Sequence, residues 1–159
     1  QNGGMNTETD ETAWLERTLT TDIPLGGAMA LSVARLDDDG VELALPLEPN
    51  INDKGTAFGG ALASAMILAG WSLPRLLIRR AGLSADLVIG RCETRFLVPV
   101  AGPFRARCPW PSAREIDRFV LKLERSGRAG LDLHPEIVAG SEVAATLSAR
   151  YAALGGSTR

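Results

Sequence analysis

The sequence predicts an α+β domain in which one antiparallel sheet curls around a single long central helix. Three observations carry that prediction. Twenty consecutive residues between Lys54 and Arg75 carry no charge. Segments of alternating apolar residues lie on both sides of that stretch. A helix apolar on every face has to be wrapped by the rest of its domain, and only a curled sheet built from both flanks covers it all round.

The elements follow in order. Residues 9–20 read as a short helix, with acids at its start and Trp14, Leu15 and Leu19 on one side. Ile23-Pro24-Leu25-Gly26-Gly27 breaks it, so residues 1–24 form an N-terminal tail and helix ahead of a domain over 25–154. Met29, Leu31 and Val33 alternate toward Leu36, and Val41, Leu43, Leu45 and Leu47 alternate after Asp37-Asp38-Asp39-Gly40, which predicts a β-hairpin. The loop Glu48–Gly55 leads into the uncharged helix over 57–73. There Phe58, Leu62, Met66, Ala69 and Leu73 recur at helical spacing and Pro74 closes the run. Arg75, Arg79 and Arg80 at its end read as a solvated face. Residues 86–100 and 103–110 read as strands, 113–125 as a surface helix packed by Ile116, Phe119, Val120 and Leu123, and 128–138 with 142–154 as a closing strand pair. Residues 155–159 read as a frayed tail.

Composition narrows the function. The chain's 159 residues, 45% of them hydrophobic, suit one globular domain with a full core. Seventeen Lys and Arg against nineteen Asp and Glu give a net charge of −2, without the basic field that nucleic-acid binding needs. The uncharged stretch is long enough to span a bilayer. Nine of its twenty residues are Gly or Ala and seven are large and apolar, which suits a protein core better than lipid. The N-terminus Gln1-Asn2-Gly3-Gly4-Met5 has no apolar core and is not a signal peptide; Gln1–Gly4 reads as a non-native leader before Met5. Cys92 and Cys108 read as buried, reduced thiols of a cytoplasmic protein. His134 is the single histidine and lies in a strand-like stretch, where it reads as structural or surface. Neither a Cys/His metal site nor a redox cofactor is implied.

The candidate site gathers at the start of the long helix. Gly55, Gly59 and Gly60 allow close backbone approach, and the first N–H groups of a helix lack internal partners. Such donors stabilise an oxygen that becomes negative during acyl transfer; the same glycines also serve tight packing against the sheet. Asn50, Asn52 and Asp53 precede the helix. Asp53 is the carboxylate nearest the helix start and a candidate general base, while Asn52 is placed to hold water or a substrate carbonyl. All three residues also suit turns and caps. Thr56 is either the helix N-cap or a ligand-facing hydroxyl. Ser64, one turn beyond Gly60, is the nearest polar residue on the helix and either faces a thioester or is simply small for packing. Glu93 and Arg95 share one side of their strand, as a surface ion pair does.

Asn50-x-Asn52-x-Lys54-Gly55-Thr56-Ala57-Phe58-Gly59-Gly60, the later Ala69-Gly70-Trp71, and Glu93–Val100 resemble the hotdog putative thioesterases of the YiiD C-terminal-domain type. That domain occurs alone or behind an acetyltransferase. The resemblance covers roughly residues 25–154. It implies the hotdog fold and hydrolysis of an acyl thioester carried by coenzyme A or an acyl carrier protein. It further implies Asn52, Asp53 and Ser64 as catalytic candidates, Asn50, Thr56, Phe58, Gly59 and Gly60 as substrate-binding candidates, and a homodimer or higher homo-oligomer. Its dimer edge would be the strand at 86–100. The chain departs from many related thioesterases at two positions. Phe58 stands where they have His, and Ile67 where they have a helix acid, so their mechanism does not carry over. A noncatalytic acyl-thioester-binding or interaction module is the alternative. A dehydratase would need a loop histidine, which this loop lacks.

Overall fold

In the computed structural model, which describes residues 3–155, α1 spans Gly3–Arg17 and continues as one π-helical turn, Thr18–Asp22. A short α2, Pro24–Ala28, follows. Then come β1 (Ser32–Leu36), β2 (Gly40–Leu45), α3 (Gly59–Arg80), β3 (Ala85–Phe96), β4 (Phe104–Pro109), α4 (Ala113–Ser126), β5 (Arg128–Leu133), β6 (Glu136–Ala139) and β7 (Glu142–Gly155). The strands form one antiparallel sheet in the order β1-β2-β4-β6-β7-β3, with β5 also pairing β7. The sheet curls around α3, as the hydrophobic pattern predicts. Leu62, Met66, Ala69, Leu73 and Leu76 of the helix are buried against Leu43, Ala106, Ile137, Leu147 and Tyr151 of the strands.

The tight approach of α3 to β7 rests on a small residue. A Cβ on Gly70 would lie 2.5 Å from the Tyr151 hydroxyl oxygen and 3.1 Å from Pro135 Cγ. The ring of Tyr151 is fully buried, and its hydroxyl donates to the Ile67 carbonyl at 2.7 Å. Burial holds the Tyr151 phenol far above its ordinary pKa, so it stays protonated as that donor.

Several boundaries differ from the sequence reading. α3 does not end at Pro74 but runs on to Arg80. An internal proline costs a helix about 3 kcal/mol, and burial of Leu73, Leu76, Leu77 and Ile78 offsets that. Of the arginines at the helix end, Arg79 and Arg80 are exposed, as the sequence suggests, and Arg75 is half-buried. Arg75 and Arg79 lie over the Trp14 ring at 5.6 and 4.6 Å, and Arg80 over Trp110 at 5.1 Å. Arg80 also holds Glu11 with two hydrogen bonds of 2.9 and 2.6 Å. Residues 24–28 are helical rather than a break, because Pro24 opens a turn and Gly26 fits directly against the Leu19 carbonyl. The strand expected over 128–138 is two strands, since Pro135 cannot donate to the ladder; β7 is long enough to pair both. Gly155 is the last residue of β7 rather than tail. Residues 156–159, and the first two residues of the leader, lie outside the described residues.

Cys108 is buried and its thiol is pushed up to about 12 by desolvation. Cys92, expected to be buried, is exposed. It sits on β3, the last strand of the sheet, which has a neighbouring strand on one side alone. The opposite edge is better protected. β1 has five residues, and its Val33 N–H donates to the Glu16 carboxylate of α1 at 2.8 Å.

Two outcomes test this packing. Gly70→Ala is expected to lower the free energy of unfolding by about 1–3 kcal/mol, the range for overpacking a core. In a Tyr151→Phe background, where the opposing oxygen is gone, denaturant titration should show a smaller loss. The second concerns pH. The Arg80 hydrogen bonds hold the Glu11 carboxyl below its ordinary value of 4.5. A carboxylate with a lowered folded pKa contributes its full stabilisation above the unfolded value and loses it as pH falls. Amide protection over residues 10–17 should therefore drop between pH 5 and 3 while that of α3 holds; an equal drop in both would show that the Glu11 pair does not control docking of α1.

Candidate active site

The segment ahead of α3 folds as a miniature hairpin. After a 3₁₀ turn at Glu48–Asn50, Ile51 and Ala57 form an antiparallel bridge. Asn52 closes the turn between them with every polar group it has. Its N–H donates to the Thr56 carbonyl at 2.8 Å, its Oδ1 accepts from the N–H groups of Lys54 (2.8 Å) and Thr56 (3.1 Å), and its Nδ2 donates to Thr56 Oγ1 at 2.8 Å. Gly55 completes the turn at φ +80°, a left-handed conformation that favours glycine. The base of the hairpin is tied to the body by Ala57 N–H to the Val100 carbonyl and Phe58 N–H to the Asn50 carbonyl, both 2.7 Å.

This hairpin places the predicted site residues in two groups. Asp53 stands at the tip, 83% exposed, with Lys54 Nζ 3.3 Å away. Asn52 and Thr56 are held inside the hairpin, and the helix N-cap is Phe58 rather than Thr56, without any side-chain cap. The second group surrounds the helix start. Asn50, Phe58, Gly60 and Ser64 line a cavity of about 320 Å³ together with Leu25, Met29, Pro49, Ile51 and Ala61. The Phe58 ring lies across Gly60, close enough that a Cβ there would collide with it. The Phe96 ring lies beside Gly59, 3.6 Å from where its Cβ would be. Both rings are more than half exposed.

The helix start supplies the donors. Ala61 and Leu62 N–H both turn to the Phe58 carbonyl, at 2.9 and 3.1 Å, whereas the N–H groups of Gly59 and Gly60 have no partner among the described residues. Two free amide donors therefore open a 22-residue helix, at the positive end of its dipole. Ile67 is half-buried one turn past Ser64. Glu93 and Arg95 lie on the outer face of β3, both 74% exposed and 3.9 Å apart, as the surface pair the sequence suggests. His134 is exposed and stands apart from the helix start.

Leu25, Met29 and Phe96 escaped the sequence reading as site residues. They arrive from α2, the turn after it and the end of β3, and only the tertiary fold brings them to the helix start. The one signal for Leu25 and Phe96 is that each is a large apolar residue left exposed.

α3 is long and apolar enough to cross a membrane, yet most of it is buried within the sheet. Solved structures share this architecture over nearly their whole length. A protein of unknown function from Chlorobaculum tepidum superposes with a TM-score of 0.86 at 29% identity, covering 91% of this chain and 94% of that one. A putative thioesterase from Shewanella oneidensis gives 0.83 at 23%, covering 92% and 99%. A probable thioesterase from Pseudomonas aeruginosa gives 0.76 at 21%, covering 91% and 96%. No curated protein matches the sequence significantly. Residues 12–155 match the YiiD_C family, described as putative thioesterase, and the chain, with its sheet curled around α3 in the hotdog manner, belongs to that family.

Proposed function

We propose that the chain hydrolyses an acyl thioester of coenzyme A or of an acyl carrier protein, in the cytoplasm. The observation that carries this reading is the pair of unpartnered N–H groups on Gly59 and Gly60, opening beside a largely apolar cavity. In this reading the thioester carbonyl oxygen accepts from those two donors, and the acyl chain packs against Phe58 and the cavity wall. Asp53 is the one carboxylate in the segment 50–58 and acts as general base. Asn52 and Thr56 hold the hairpin that presents it, and Ser64 hydrogen-bonds the attacking water. Water adds to the carbonyl carbon as its proton passes to Asp53, and the oxyanion is held by the two amides. The carbon–sulfur bond then breaks, and the thiol leaves with the proton returned from Asp53. A positioned oxyanion donor is worth about 10²–10³-fold in rate and a general base about 10²–10⁴-fold.

Asp53→Asn keeps the size and the turn-forming ability of the side chain. It is expected to lower kcat on acyl-CoA substrates by about 10²–10⁴-fold, with little change in thermal stability. Full activity in that variant would leave Asp53 a turn residue. Wild-type protein that binds acyl-CoA and acyl carrier protein thioesters across chain lengths without hydrolysing any would identify a binding module instead, the reading that apolar Phe58 and Ile67 favour.

The assembly belongs to the same proposal. β3 leaves a twelve-residue edge unpaired, and its Cys92 and Phe96, whose partners Ala149 and Ala145 on β7 are buried, stay exposed. A long open edge with apolar neighbours invites pairing, and a two-fold copy of the same strand satisfies both at once. We therefore place a homodimer interface at β3. Cys92 reports on it directly, because Cys108 is buried. A short bismaleimide is expected to join two wild-type chains and to fail with Cys92→Ser. A monomer by light scattering at micromolar concentration would remove the interface.

A further inference from the structure

The outer face of α4 carries charge that the fold leaves unused. Phe119 and Leu123 are buried, and Ile116 and Val120 are half-buried beside them. Arg114, Arg118, Leu121 and Arg125 follow at spacings of four, three and four, which puts them on one face, with Lys122 at its side. All five are exposed, Leu121 at 48%, and together they line a groove of about 530 Å³. On the rest of the surface Arg35, Arg80, Arg105, Arg107 and Arg150 each hold a carboxylate. None of the four cations on α4 has one within 4.0 Å among the described residues. Glu115 is turned to its own helix end, where it accepts from the Ser112 N–H and hydroxyl. Asp117 and Glu124, seven residues apart, lie on one flank of the stripe.

Arg114, Arg118 and Lys122 make two successive like-charge pairs at i, i+4, which destabilise a helix. A surface of opposite charge removes that cost. From Arg114 to Arg125 the stripe runs about 17 Å at 1.5 Å per residue, longer than the phosphates of one nucleotide, and Leu121 in its middle calls for an apolar contact. An acidic helix with an apolar side chain among its carboxylates meets both demands. Of the two thioester carriers, coenzyme A is a nucleotide and acyl carrier protein is a small acidic helical protein. We propose that the outer face of α4 docks acyl carrier protein. This rests on the thioesterase reading above and goes beyond it in choosing the carrier. The placement of α4 agrees with the β3 dimer. Gly127, its C-cap, accepts from the Gly155 N–H, and Gly155 pairs with Ala85 at the start of β3, whereas Phe96 at the end of β3 lies beside Gly59. Within one chain the stripe and the helix start therefore stand at opposite ends. A two-fold through the middle of β3 sets the partner's Ala85 against Phe96, and the partner's α4 then ends three strand spacings away, about 14 Å. The prosthetic arm of a carrier docked on one subunit serves the site of the other.

The test compares octanoyl thioesters of acyl carrier protein and of coenzyme A, with wild type and with the double variant Arg118→Glu, Arg125→Glu. The coenzyme A thioester is the internal reference for folding and for the reacting centre. The ratio of kcat/KM for the carrier protein over coenzyme A is expected to fall at least about tenfold in the variant, through KM, because reversing contact charges turns attraction into repulsion. In wild type the same ratio should fall as salt screens the contact. An unchanged ratio would overturn the docking inference and leave thioester hydrolysis standing, as would hydrolysis of the coenzyme A thioester alone. If neither thioester is hydrolysed, the reading of the reaction fails, and calorimetric titration with the carrier protein itself decides the inference. A Kd at least about tenfold weaker in the variant supports docking on α4, and absent or unchanged binding overturns it.

Discussion

The contact between Gly70 and Tyr151 fixes how close α3 lies to the sheet, and with it most of the molecule. β7 is the strand that binds the sheet together, pairing with β3 on one side and with β5 and β6 on the other. Tyr151 projects from its centre to the Ile67 carbonyl. A larger residue at position 70 would lift the helix off β7, and every apolar side chain around α3 would lose depth. Because the helix is a rigid rod of about 33 Å at 1.5 Å per residue, a shift at its middle is felt at its first turn. The amides of Gly59 and Gly60 are thus positioned by a core contact ten residues away.

The two ends of α3 are treated differently, and the difference has physical content. At the C-terminal end Arg79 and Arg80 complement the dipole and are fastened to α1 through Trp14 and Glu11. At the N-terminal end no side chain caps the helix and no acid occupies the first turn. Leaving out a cap costs about 1 kcal/mol. The chain has polar residues two and five positions ahead of the Phe58 N-cap, Thr56 and Asp53, and directs neither into that role. An open, positively polarised helix start beside apolar walls is a poor arrangement for stability and a good one for holding a developing oxyanion.

Much of this was legible in the sequence. A charge-free run rich in Gly and Ala suits a core helix better than a membrane span, and the alternation around Asp37–Gly40 predicts a hairpin. Other features depend on partners distant in the chain. Whether Pro74 ends a helix depends on how much apolar surface beyond it finds cover, and Leu76 and Ile78 find it fully. Cys92 sits in an apolar setting by sequence, yet its exposure follows from β3 being at the sheet's edge. The roles of Asn50 and Asn52 look alike in the motif and differ in space. Asn52 spends all its polar atoms inside the hairpin, while Asn50 is buried in the wall with one atom spare.

That division bears on how a site without a polar group at Phe58 or Ile67 can be reactive. Apolar side chains at those positions lower the local dielectric, and a hydrogen bond from an amide to an oxyanion strengthens as the dielectric falls. The same dryness penalises a carboxylate, which in such surroundings would hold its proton. A base is better carried at the rim, on a short turn in contact with water. The Asn52–Thr56 hydrogen bonds make such a turn, and Asp53 is the residue at its tip. Two unpartnered donors on the helix and one exposed carboxylate on the hairpin are a consistent pair for the proposed reaction.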